Sequence, residues 1–108
     1  MPLTRSFHDL VKSRVEADPA FRQALFQEAV QTMLEGDVAT AKSLLRDYIN
    51  ATIGFERLSQ ATQTPANSLM RMFGRHGNPT AANLLGAIGV LQKQTGVHLE
   101  VSAVADAA

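Results

Sequence analysis

Asn67 and Arg71, four residues apart and flanking Met70, are the side chains best placed to do chemistry in this 108-residue chain, and that chemistry is recognition. Taking Pro65 to Gly74 as a helix at about 100° per residue puts Leu69, Met72 and Phe73 on one side and Asn67, Met70, Arg71 and Gly74 on the other. The first side can pack and the second can read. Asn and Arg pair bidentately with adenine and guanine edges in the major groove, each good pair contributing roughly 1–3 kcal/mol of discrimination. Met70 beside them could meet a thymine methyl. Thr64 and Ser68, at the start and flank of the same helix, can donate to phosphate, together with the N–H groups of the helix N-terminus. Arg57, Arg75 and His76 flank the segment and suit phosphate clamps, which position without reading sequence. For each of these residues the alternative is a plain solvated surface, and for Thr64 a helix cap.

Catalytic patterns are absent from the same reading. His8, His76 and His98 are scattered without a metal-ligand spacing. Ser6, His8 and Asp9 would point in different directions on one helix and so do not form a triad. There is no cysteine, hence no disulfide or thiolate metal site. No glycine-rich loop follows a strand. The chain is therefore expected to be neither an enzyme nor a cofactor carrier. Tyr48 and Met33 read as core residues, and the six aromatics do not form a stacking platform for single strands.

The elements that must position these residues can be read from periodicity. A short helix over about Phe55 to Ala61, a turn at Thr62 to Thr64, and a second helix capped by Thr64 with Pro65 first form a helix-turn-helix. Before it, Leu3, Phe7, Leu10, Val11 and Val15 predict an amphipathic helix, with Arg5, Lys12, Arg14 and Glu16 elsewhere around the turn. Asp18-Pro19 starts another, whose face of Phe21, Leu25, Phe26, Ala29, Val30, Met33 and Leu34 stops at Gly36. Asp37 caps a third, carrying Val38, Ala41, Leu44, Leu45, Tyr48 and Ile49 to about Thr52. After the turn formers of Gly74 to Pro79, Thr80 caps a last helix with Leu84, Leu85, Ile88 and Leu91 inward, ending at Gly96. Val97, Leu99 and Val101 alternate with His98 and Glu100, the period of a half-buried strand. Its backbone needs a partner, and pairing with a second subunit would make a two-fold dimer; an extended tail packed on the core is the alternative. Residues 102–108 read as a disordered tail.

Length and apolar content of 45% support one domain over residues 1–108, all-α, a compact bundle of about six helices with a short C-terminal strand. Residues 1–53 form the N-terminal helices, 54–96 the helix-turn-helix and its supporting helix, and 97–101 the strand. Net charge is zero, but from Arg57 to Leu99 there is no Asp or Glu, whereas residues 1–56 carry six Lys/Arg against eight Asp/Glu. The acid-free stretch coincides with the helix-turn-helix, as phosphate binding requires. No run approaches the ~18 apolar residues of a membrane span, and the N-terminus lacks a secretory pattern, so the cytoplasm is the expected location.

From about residue 44 to 101 the chain resembles the lambda-repressor-like, or XRE-type, helix-turn-helix domain, and within it the addiction-module antidote proteins. Leu58-Ser59, Ser68-Leu69-Met70-Arg71, Gly77-Asn78-Pro79-Thr80 and Val97 to Val101 occupy the places of that pattern. Ser59 stands where the family commonly has Ala, and Gln63 where the turn commonly has Gly. The N-terminal helices match more loosely, in Asp18-Pro19, Leu34 to Asp37 and Leu45 to Ile49. The resemblance implies a transcriptional regulator of double-stranded DNA, a repressor of its own operon and, in the antidote branch, a partner that neutralises a toxin. A helical protein-interaction module, with the helix-turn-helix kept only as scaffold, is the competing expectation.

Overall fold

Asp18, Asp37 and Thr80 each start a helix by accepting hydrogen bonds from the first-turn N–H groups, and these caps set the frame of the molecule. The computed structural model describes residues 7–107, with the backbone alone at His8. It contains, among those residues, helices α1 (Phe7–Ala17), α2 (Pro19–Leu34), α3 (Val38–Ala51), α4 (Gly54–Thr62), α5 (Ala66–Met72) and α6 (Ala81–Thr95). Leu3, Arg5 and Ser6, and Ala108 of the tail, lie outside the described residues.

Packing is densest between α2 and α3, with α1 against both; α4 joins this layer to α5 and α6. One apolar core runs through all six helices, from Val11 and Val15 through Leu25, Phe26, Leu45, Tyr48 and Ile49 to Leu58, Leu69, Phe73 and Leu91. At its centre the rings of Phe26 and Tyr48 stack, centroids 4.4 Å apart and 15° from parallel. The Tyr48 ring is fully buried, and its hydroxyl finds no hydrogen-bond partner among the described residues. The neighbouring Thr95 hydroxyl donates instead to Leu91 O at 2.7 Å. Burial therefore pushes the phenol above its ordinary value of 10.0, against smaller opposing influences of Thr95 and Arg22.

The inward faces and the C-terminal strand expected from the sequence need correction. Leu85 is 57% exposed, because Leu84, Ala87, Ile88 and Leu91 already complete the inward stripe of α6 and Leu85 falls one residue off it. Phe7, Leu10, Leu34 and Val38 are likewise exposed. On α1 the Val11 and Val15 line is buried against its neighbours, while Phe7 and Leu10 lie at the helix edge with half or more of their surface exposed.

The strand over residues 97–101 does not form. A strand is defined by its ladder, and no second extended segment among the described residues meets it. The alternation still has a physical result. Val97 and Leu99 pack against the core, His98 and Glu100 face out, and the Leu99 N–H donates to the Gln92 side chain at 2.9 Å. Leu99 to Ser102 then border a cleft with Gln27, Val30, Gln31 and Leu34, so the tail runs along α2. Residues 102–107 are exposed and form no regular element. No helix among the described residues is long and apolar enough to cross a membrane.

Candidate nucleic-acid interface

The turn between α4 and α5 is built by hydroxyls. Thr62 Oγ1 donates to Leu58 O at 2.8 Å and Ser59 Oγ donates to Thr64 O at 2.6 Å, so Ser59 ties the turn across its base. Gln63 closes α4 in the left-handed region, at φ 57°, with its N–H on Ser59 O. That conformation costs a non-glycine residue roughly 1–2 kcal/mol, which the surrounding hydroxyl bonds offset.

Helix α5 is shorter than expected. Thr64 is not its cap: Pro65 occupies that position with extended backbone, at φ −56° and ψ 140°, and no side chain caps the helix. The Thr64 hydroxyl turns back to Thr62 O at 3.4 Å. Phe73 is the C-terminal flanking residue. The two-sided division of this segment holds nonetheless. Leu69 and Phe73 are buried, Phe73 tilting against Phe55 with centroids 6.2 Å apart, and Met72 is half-buried. Asn67, Met70 and Arg71 are exposed, Met70 by 47%.

Thr64, Ser68, Arg71 and His76 come together around one cleft of about 410 Å³, completed by Met72, Gly77 to Thr80 and Asn83. Its polar lining comes from α5, the following loop and the first turn of α6. Arg75 faces elsewhere, into a smaller cleft of about 200 Å³ with Lys42, Ser43 and Arg46 of α3. Arg57 is separate again: its Nε donates to Gln94 Oε1 at 3.1 Å, bridging α4 to α6. Of the eight recognition residues expected, four thus share a cleft, Asn67 and Met70 share the open face with Arg71, and Arg57 and Arg75 lie to the sides.

Sequence reasoning missed Lys42 and Arg46. Lys42 is only 7% exposed, and its Nζ donates to Gly74 O at 3.1 Å and to Gly77 O. Arg46 Nη1 reaches Phe73 O at 3.4 Å. Of these two cations of α3, Arg46 therefore meets the C-terminal flanking carbonyl of α5, where the helix dipole favours positive charge, and Lys42 holds the turn that follows. The available signal was the repeat of two basic residues four apart on α3, which otherwise reads as a solvated face. Among the described residues no group of three or more His, Asp or Glu side chains is arranged to hold a metal ion. Compared with known proteins, the chain matches no protein-family model, no curated protein and no solved structure.

Proposed function

We propose that the chain is a sequence-specific regulator that binds double-stranded DNA through α5, acting in the cytoplasm as a homodimer on a two-fold operator with half-sites about one turn apart. The observation that carries this reading is the exposure of Asn67, Met70 and Arg71 together on one face of α5, beside a polar cleft, in a stretch without acids. Arg71 reads a guanine edge and Asn67 an adenine edge, with Met70 against a thymine methyl. Thr64, Ser68, Arg57, Arg75 and His76 hold phosphates. Repression, and neutralisation of a toxin, follow only from the family resemblance.

The deciding experiment is fluorescence anisotropy against the duplex upstream of the chain's own gene and against a scrambled duplex, at two salt concentrations. Wild type should bind the first duplex selectively, and Arg71→Ala should lose that selectivity, weakening binding by about 10- to 100-fold with folding intact. Equal binding by the mutant removes Arg71 from the reading set. A second reading has its own observation: exposed Phe7 and Leu10 border, with Val11 and Phe21, an open apolar concavity of about 480 Å³, which suits a protein partner. Absence of duplex binding at low salt would favour it.

A further inference from the structure

The turn from Gly74 to Gly77 is held from both sides. Lys42 of α3 donates to the carbonyls at its two ends, and the Gly77 N–H closes the turn on Gly74 O at 3.1 Å. On the other side Gly77 lies directly against the last turn of α5, where a Cβ would run into the carbonyl oxygens of Arg71 and Met72. Removing a lysine Nζ from water is costly unless its donors are satisfied, and here the backbone of the turn accepts from two of the three. The segment so secured contributes nothing to the core. Its two inner residues, Arg75 and His76, are both exposed, and the flanking residues are glycines.

We infer that Lys42 is a positioning residue of the nucleic-acid interface: by fixing Gly74 to Gly77 it aims Arg75 and His76 at the phosphates flanking the α5 contact. The inference rests on the DNA-binding reading and adds to it a residue that touches no DNA. Lys42 acts through the turn, with Arg46 supporting the adjoining Phe73 carbonyl. His76 borders the Arg71 cleft and Arg75 the Lys42 cleft, so one turn presents a basic side chain toward each. Loss of the clamp leaves the core packing of α5 in place and frees the turn.

The test uses the full chain with Lys42→Met, which keeps the apolar stem and removes the donors. Hydrogen exchange at the Gly77 amide should speed up by about tenfold with the helical circular dichroism unchanged. Affinity for the selected duplex should fall by about tenfold, and the slope of log K against log salt should shrink by about one. Arg75→Ala should then add little in the Lys42→Met background, since the two changes remove the same phosphate contact. Should Lys42→Met fail to fold, Lys42→Gln, which keeps a polar N–H donor but withdraws it from the turn, should give the same faster Gly77 exchange and smaller slope. Unchanged Gly77 exchange, an unchanged salt slope in the folded variant, or additive losses with Arg75→Ala would each overturn the inference. Faster exchange in a protein whose wild type binds no duplex would overturn the DNA reading and the phosphate role together; intact wild-type binding with an indifferent Lys42→Met overturns this inference alone.

Discussion

Tyr48 shows how one buried atom can set both a stability and a pH limit. Its ring stacks on Phe26, but its hydroxyl is buried without a partner among the described residues. Leaving such a group unsatisfied costs about 1–3 kcal/mol, so Tyr48→Phe should stabilise the fold by about 1 kcal/mol in urea unfolding. The phenol's value is raised in the folded state, so its contribution is fully present below pH 10 and is lost as pH rises through the raised value. Wild type should therefore lose stability in alkali above pH 10, and Tyr48→Phe should lack that limb in a series of thermal melts. A Tyr48→Phe protein less stable than wild type at neutral pH would mean that the hydroxyl has a partner in solution.

At the scale of elements, the turn into α5 carries a cost that can be relieved. Gln63→Gly removes the Cβ from the left-handed position and should raise stability by about 0.5–1 kcal/mol, measured by denaturant midpoint, with duplex affinity unchanged. Helices were legible in the sequence where a cap and an apolar stripe agreed, as at Asp18, Asp37 and Thr80. The α5 start was misread because the Thr64 hydroxyl donates to Thr62 O instead of accepting from the first turn of α5, which leaves the flanking position to Pro65. The outward placement of Asn67, Met70 and Arg71 was legible because Leu69 and Phe73 fix the rotation of their helix. Lys42 was not, because its partners lie 32 and 35 residues away and helical spacing carries no information about contacts at that range. For the same reason alternation over Val97 to Val101 revealed an extended segment with an inner side, while the ladder a strand requires depends on a second segment.

For the molecule as a whole, the tail is part of the core as far as Leu99 and an appendage after it. Deleting residues 97–108 should destabilise the chain by about 2 kcal/mol, since Val97 and Leu99 leave apolar contacts and the Gln92 side chain loses its backbone donor. Deleting residues 101–108 should leave the melting temperature within error of wild type; a drop comparable to the longer deletion would show that Val101 and Val104 also hold the fold. Zero net charge does not forbid a polyanionic partner, because the acids are kept off residues 57–99 and the charge that a duplex meets is local. The stacked pair at the centre also decides how the protein can be watched. With one tyrosine and no tryptophan, intrinsic near-ultraviolet emission comes from that single enclosed ring. It is a built-in gauge of core opening and is blind to events at the α5 face, so a test of the proposed duplex docking must carry its label on the duplex.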